Sequence, residues 1–334
     1  MLSYRHAFHA GNAADVVKHM ALVFCLEYLG QKEKPYLAVD THAGAGSYSL
    51  LEGYAAKNRE WEGGIRRLLD QGNLPGRAFP PLIARYVELV QEAQPAAHAS
   101  GPGLAAAPGR AALADTAAVS GAAAPGGAAG AGGGLRRYPG SPALMQKLLR
   151  PRDRAVCFEL HPADFAALQD GFGADPRFRL RREDGLGGLK ALLPPPSRRG
   201  CVFIDPSYEV KDDYRTLPLV LAEALRRFPS GLYIIWYPLL GQDGGRPAGG
   251  RGLGERLRAL YAGNRCGFEL RTSQRPASPG DALSGGMYGS GLVIYNPPWP
   301  LRSALEESLP LLASALGGAT GDWDMWWEEA ASPQ

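Results

Sequence analysis

Residues 35–46 read Pro-Tyr-Leu-Ala-Val-Asp-Thr-His-Ala-Gly-Ala-Gly. A short apolar run that ends on an acid and then a glycine turn predicts a buried strand whose carboxyl end meets a ligand, because glycine lets a partner approach the backbone closely. Runs of the same kind recur at 155–160, 178–184, 200–205, 231–238, 268–273 and 291–296, with helix-like stretches near 141–149, 162–170, 212–228, 252–264 and 300–316. Upstream, Asn12 can cap a helix that carries Val16, Met20, Val23 and Leu26 on one face and stops at Gly30, with Asp15 in the capping-box place. Alternation of this sort predicts an α/β fold built on a seven-stranded, mostly parallel, doubly wound sheet of the Rossmann-like type. Asp40, Glu159, Asp184 and Asp205 close or nearly close four of the strands. Ligands bind outside the carboxyl ends in such sheets, so one rim is expected to carry four carboxylates.

Each rim motif has a specific chemistry and a plainer alternative. The glycine turn at 42–46 lacks the third glycine and the immediate helix of a dinucleotide fingerprint, which disfavours NAD or FAD. Glu159 in Glu-Leu-His-Pro162 can accept both hydroxyls of a ribose, or simply cap the next helix. Asp184 in Glu183-Asp-Gly185 can read an adenine amino group, with Gly185 leaving room for the ring, or form a turn. Ile204-Asp-Pro-Ser-Tyr208 is the sharpest feature. The lone pair of an exocyclic adenine amine is delocalised into the ring. Two acceptors that hold its N–H bonds, the Asp205 carboxylate and the Pro206 carbonyl, pull the nitrogen toward tetrahedral geometry, and the Tyr208 ring can stack on an extruded base. Glycine turn, ribose acid, adenine acid and Asp-Pro-Ser-Tyr follow strands one to four in order. That is the arrangement of class I S-adenosylmethionine-dependent methyltransferases with an amino-group target.

Composition sets the outer limits. Of 334 residues, Lys and Arg number 36 and Asp and Glu 33, a net +3 that excludes a strongly basic protein but allows a local basic face. From Pro95 to Gly134 the chain holds 17 Ala, 10 Gly and 4 Pro in 40 residues, which predicts a disordered insert without chemistry of its own. The remaining length, about 290 residues, suits one catalytic domain with a small helical insertion. The N-terminus has no signal-peptide pattern, and no run reaches the length of a membrane span. Cys25, Cys157, Cys201 and Cys266 are far apart, so neither zinc nor disulfides are expected, and a cytoplasmic location follows. His6 and His9 are expected in an extended arm, and no metal is expected. Arg181-Arg182, Arg198-Arg199 and Arg226-Arg227 can hold phosphate, with solvated faces the commoner reading, and the tail with Trp323, Trp326 and Trp327 reads as packed against the sheet rather than as a base-stacking platform.

The opening Met1–Asn12 block, Lys18-His19, Asp40–Gly46, Tyr138-Pro-Gly-Ser-Pro142, Glu159–Pro162, Asp184-Gly185, Asp205–Glu209, Trp236-Tyr-Pro238 and Asn296-Pro-Pro-Trp299 resemble the bacterial ribosomal RNA large subunit methyltransferase J family, the 23S rRNA (adenine-2030-N6)-methyltransferases. The likeness covers the chain outside the Ala/Gly-rich insert. It implies that His19, His42, Ser141, Glu159, Asp184, Gly185 and Asp205 contact S-adenosylmethionine, that Asp205 is the proton acceptor, and that Tyr4 touches the RNA, with Lys18 close by. It also implies a division into residues 1–52 (arm, first helix and first strand), a helical insertion at 53–137, and the rest of the methyltransferase domain at 138–334. Ser207 departs from the family, which has a second proline there. The implied partner is 23S rRNA before ribosome assembly is complete, met by a monomer. A methyltransferase for adenine in DNA or another RNA, and a non-catalytic RNA-binding protein on the same scaffold, stay open at this point.

Overall fold

Asn12 starts the first helix, α1 (Ala13–Gly30), by accepting the Asp15 amide on its side-chain oxygen at 3.0 Å. The helix is buried along most of its length, as its apolar composition on nearly all sides requires. Its carbonyl end is tied to the base of the sheet by two guanidinium groups. Arg150 donates to the carbonyls of Gly30 and Lys32 at 2.7 and 2.6 Å, and Arg199 to that of Leu29 at 2.8 Å. Cations there satisfy orphaned carbonyls and complement the helix dipole. Buried Asp153 holds Arg150 in place through contacts of 2.8 and 2.9 Å.

A computed structural model describes residues 6–76, 78–95, 134–209, 212–241, 252–273 and 286–331. The Ala/Gly/Pro insert expected at 95–134 falls outside these residues except at its two ends, and Tyr4 also falls outside them. After α1 come β1 (Leu37–Asp40), β2 (Ser47–Ser49), α2 (Gly53–Asn58), α3 (Ile65–Gly72), α4 (Pro81–Glu92), β3 (Arg137–Pro139) and α5 (Ser141–Leu148). The alternating part follows as β4 (Arg154–Phe158), α6 (Pro162–Phe172), β5 (Phe178–Arg181), α7 (Gly185–Leu192), β6 (Gly200–Ile204), α8 (Asp213–Arg227), β7 (Leu232–Leu240) and α9 (Leu253–Leu260). The chain then runs through β8 (Arg265–Arg271), β9 (Met287–Tyr295), α10 (Leu301–Gly317) and β10 (Asp322–Glu328).

The main sheet has the order β10-β8-β9-β7-β6-β1-β4-β5. β5, β4, β1, β6 and β7 are parallel, β9 runs antiparallel between β7 and β8, and β10 pairs antiparallel with β8. The α/β class and the mostly parallel sheet are as the sequence predicts. The strand count is eight rather than seven, because the tryptophan-bearing tail is itself a strand. Arg271 bridges to Asp322 at 2.9 Å and to Asp324, and Arg258 lies 4.6 Å over the Trp326 ring, so side chains fasten this strand to the edge. The strand order reverses between β4 and β6 on either side of β1. The crevice beyond β1 and β6 is therefore the topological switch point.

Two smaller features frame that crevice. β2 and β3 form a separate antiparallel ribbon, which brings the glycine turn against Tyr138–Ser141. Between them α4 packs on α1 and α10, α3 packs on α10, and α2 packs on residues 6–8 and β2. Residues 6–8 form a 3-10 turn rather than an extended arm. The Phe8 ring lies 4.4 Å from that of Tyr54, and His9 binds Glu60 at 2.9 Å, so local helical turns bring carboxylates to both histidines. All four cysteines are buried free thiols. Among the described residues no helix is long and apolar enough to cross a membrane.

Arg150→Ala should lower stability by about 2–3 kcal/mol, since it uncovers the end of α1 and removes the counter-charge of buried Asp153. Chemical denaturation against wild type measures this. A loss of less than about 0.5 kcal/mol would show that α1 is held some other way.

Candidate active site at the carboxyl rim of the sheet

β1 delivers Asp40 to the rim fully buried. Its Oδ2 accepts from the Ser141 hydroxyl at 2.6 Å and its Oδ1 from the His42 amide at 3.1 Å. Ser141 is thus a clamp between β1 and the start of α5. Burial pushes the Asp40 carboxyl up to about 7 against those two hydrogen bonds, with Asp205 and Glu159 adding to the rise. His42 shares a hydrogen bond of 2.8 Å with the Thr41 hydroxyl, and burial lowers its ring to about 4, so it is neutral at physiological pH. The glycine turn is tight for an internal reason. Gly44 has φ +58°, and a side chain there would run into the Tyr48 hydroxyl, which accepts the Ala45 amide at 3.1 Å.

Glu159, just after β4, accepts the amides of Gly44 and His161 at 2.8 and 2.6 Å. Burial raises its carboxyl against these bonds. Each oxygen keeps a second lone pair for a further donor. Asp184 caps α7 by accepting the amides of Leu186 and Gly187 at 3.2 and 2.9 Å. Gly185 also has a packing reason to be small: a Cβ there would lie 2.1 Å from the Thr41 carbonyl oxygen, so its absence lets α7 approach β1.

Asp205 follows β6 and meets a lysine. Lys18 Nζ stands 2.5 Å from Asp205 Oδ2 and 2.8 Å from Asp15 Oδ1, with the Trp236 ring 5.3 Å away. Lys18 is 3% exposed, and its ammonium pairs with two carboxylates inside the protein. Burial raises the Asp205 carboxyl, with Lys18 the main opposing influence. Burial would also raise Asp15, but His6 and Lys18 beside it hold that carboxyl well below the usual range. Pro206 is buried, and the Ser207 hydroxyl accepts the Glu209 amide at 3.4 Å. Tyr208 has φ +56° and donates its hydroxyl to the Trp236 carbonyl at 2.6 Å. Its ring lies 4.9 Å from Tyr214 and 5.8 Å from Trp236 and is 7% exposed.

His19 lies one residue further along α1, buried, with Nδ1 2.8 Å from the Tyr138 hydroxyl, which in turn bonds the Tyr86 hydroxyl at 2.8 Å. Burial drives His19 down to about 3, so it is a neutral ring. The structure therefore brings His19, His42, Ser141, Glu159, Asp184, Gly185, Asp205, Pro206 and Tyr208 to one rim or its immediate support. Asp15, His6, Tyr48 and Trp236 join them without having been singled out as site residues. The available sign for Asp15 was its spacing of three from Lys18 on a helix, which puts both on one face. Of the arginine pairs, Arg226 and Arg227 share Glu223 on the surface, Arg181 pairs with Glu183, and Arg199 serves α1.

S-adenosylmethionine presents a sulfonium cation, a ribose diol and an adenine. An acidic rim suits the cation, and Glu159 retains acceptor capacity for hydroxyls. Switch-point topology, glycine turn and rim acids together define a class I S-adenosylmethionine-dependent methyltransferase. The family model described as "Ribosomal RNA large subunit methyltransferase D, RlmJ" matches residues 33–116 and 129–329. The ribosomal RNA large subunit methyltransferase J of Haemophilus influenzae is 37% identical over 333 residues, 98% of this chain and 99% of its own. The protein of the same name from Escherichia coli is 35% identical over 333 residues, 97% and 99% of the two chains. A crystal structure of a Legionella pneumophila protein superposes with a TM-score of 0.73 at 29% identity, covering 97% of this chain and 99% of that one. The chain belongs to this ribosomal RNA large subunit methyltransferase family.

Asp40 makes the pH dependence testable. Its folded value of about 7 lies above the ordinary 3.8, so the folded state binds the proton more tightly. The Asp40 contribution to stability is fully present below the ordinary value and is lost as pH rises through about 7. Without added cofactor, the melting temperature of wild type should fall between pH 5 and pH 8 more than that of Asp40→Asn. Equal slopes for the two proteins would refute the buried, proton-holding state.

Proposed function

We propose that this chain methylates N6 of an adenine in 23S rRNA, adenine 2030 by family resemblance, working as a cytoplasmic monomer on RNA whose assembly into the ribosome is incomplete. The names of its relatives support the substrate class. The observation that carries the chemistry is Asp205, a carboxylate at the switch point, next to a proline carbonyl and paired with an ammonium at 2.5 Å.

The cofactor supplies an electrophilic methyl group. Asp205 and the Pro206 carbonyl hold the two N–H bonds of N6, so its lone pair leaves the ring system and points at the donor. Holding both reactants in this geometry supplies much of the acceleration. The proton released from nitrogen passes to Asp205. Burial favours its uptake, and Lys18 opposes that rise by favouring the charged form. Tyr208, with Trp236 and Tyr214 behind it, provides the aromatic wall on which the base stacks. His19, His42, Ser141, Glu159, Asp184 and Gly185 form the cofactor side, and Tyr4 contacts the RNA. Residues 53–137 act as a helical insertion between the 1–52 and 138–334 parts of one catalytic domain.

Asp205→Ala should reduce methyl transfer from labelled cofactor to undermodified 23S rRNA by at least about 1,000-fold, while folding is kept. Near-wild-type turnover would sink the assignment. Duplex DNA and protein-free rRNA, compared as substrates, separate the RNA reading from its DNA alternative.

A further inference from the structure

We infer that Asp15 is a positioning residue of this active site: one buried carboxylate that ties the N-terminal turn to Lys18 and, through Lys18, sets the orientation of Asp205. The inference rests on the function proposed above.

Asp15 has no exposed surface. Its Oδ2 accepts the His6 ring nitrogen at 3.0 Å and the Gly11 amide at 2.8 Å, and its Oδ1 forms a close ion pair with Lys18 at 2.8 Å. The same ammonium stands 2.5 Å from Asp205. Five groups from three segments therefore meet on one chain of contacts: His6 and Gly11 before α1, Asp15 and Lys18 on α1, and Asp205 at the end of β6. The turn side has no slack. Gly11 has φ +79°, and a Cβ there would press on Trp61, Ile65 and Tyr138 at 3.1–3.3 Å. On the other side Gly64 lies so close that its Cβ would come within 2.2 Å of the Gly11 carbonyl oxygen. The Ile65 amide donates to that carbonyl at 2.9 Å. Because the turn is pinned to α3, the Gly11 amide and the His6 ring are presented at fixed places, and Asp15 answers to both.

Lys18 is consequently shared between two anions rather than belonging to one. If the charge of Asp15 is removed, Asp205 is the anion left to the ammonium among the described residues; the pair, already at 2.5 Å, is no longer held from the α1 side, and the carboxylate is free to turn away from the amine. Apart from His19 on α1, whose ring is held by the Tyr138 hydroxyl, the groups on the cofactor side hang from β1, α5, β4 and α7 and are not part of this chain of contacts. The expected signature is a fall in turnover with cofactor binding unchanged.

The test is a double-mutant cycle with Asp15→Asn and Lys18→Met, read as single-turnover methylation of 23S rRNA, with cofactor affinity measured by calorimetry. Asp15→Asn keeps an acceptor for the Gly11 amide but loses the charge. It should lower the turnover rate about 10- to 100-fold and change cofactor affinity less than about 3-fold, and the double variant should be no slower than the slower single variant within about 3-fold. Turnover near wild type in Asp15→Asn, losses that multiply in the double variant, or a loss confined to cofactor binding would each overturn the inference. Should Asp15→Asn fail to fold, His6→Asn, which leaves Asp15 charged but unties it from the turn so that it draws Lys18 from Asp205, takes its place in the cycle; turnover should again fall with cofactor affinity unchanged, and turnover near wild type would overturn the inference. Asp205→Ala run alongside separates the two levels. Activity retained there strikes the proposed acceptor, whereas a silent Asp15→Asn beside an inactive Asp205→Ala strikes only the positioning role.

Discussion

A lysine ammonium that is 3% exposed must be neutralised where it stands, because an unpaired charge in the interior costs several kcal/mol. Lys18 meets this demand by lying between Asp15 and Asp205, and that arrangement constrains everything near it. Two acids and one cation leave a surplus of negative charge, which the His6 ring and the Gly11 amide take up at Asp15. The first turn of α1, the chain before it and the end of β6 can reach a low energy only together. Surface pairs such as Arg302–Glu306 or Arg66–Asp70 exert no comparable influence, since solvent replaces either partner at little cost.

The neighbouring acid of the rim solves the same problem in another way. Asp40 is as buried as Asp15, but among the described residues it is held by no cation, by the Ser141 hydroxyl and the His42 amide instead. Hydrogen bonds compensate less than a full counter-charge, so its carboxyl holds a proton to about pH 7. This contrast divides the labour on two paired strands. A carboxyl that is often protonated and doubly bonded to its surroundings is suited to clamping β1 to α5. A carboxylate raised by burial and paired with a buried ammonium is suited to receiving a proton.

The difference in how these residues are held also explains what the sequence could convey. Buried parallel strands are apolar from end to end, so β1, β4, β6 and β7 stand out as continuous runs, and an acid at the end of a run marks the rim. Asp40, Glu159 and Asp205 were legible for that reason. β10 was not, because Asp-Trp-Asp-Met-Trp-Trp-Glu is an edge strand with charged positions whose partners, Arg271 and Arg258, lie more than 50 residues away. The reversal of β9 was hidden too, since direction in a sheet leaves no trace in composition. Asp15 could be read only as a capping residue. Lys18 lies three residues on along the same helix face, but His6 and, beyond Lys18, Asp205 join it through the fold and not through spacing. Gly185 and Lys18 show the converse: a motif can identify a position correctly while the physical reason for the residue lies in packing or in charge pairing that only the tertiary arrangement discloses.

The Asp-Pro-Ser-Tyr turn shows how one departure from a motif can be absorbed. Tyr208 sits at φ +56°, a left-handed conformation that costs an aromatic residue about 1 kcal/mol or more and persists only where the surroundings enforce it. A proline at 207 would stiffen the turn from within the backbone and restrict Pro206 before it. Ser207 gives up that stiffness, and its 3.4 Å contact with the Glu209 amide is too long to restore it. The enforcing contact is on the other side: the buried Tyr208 hydroxyl reaches the Trp236 carbonyl on β7 at 2.6 Å, a bond whose loss would leave a polar group stranded in the core. Anchoring from β7 holds the Asp205–Pro206 step in place without a second ring. The constraint on the acceptor geometry has moved from the turn itself to the neighbouring strand.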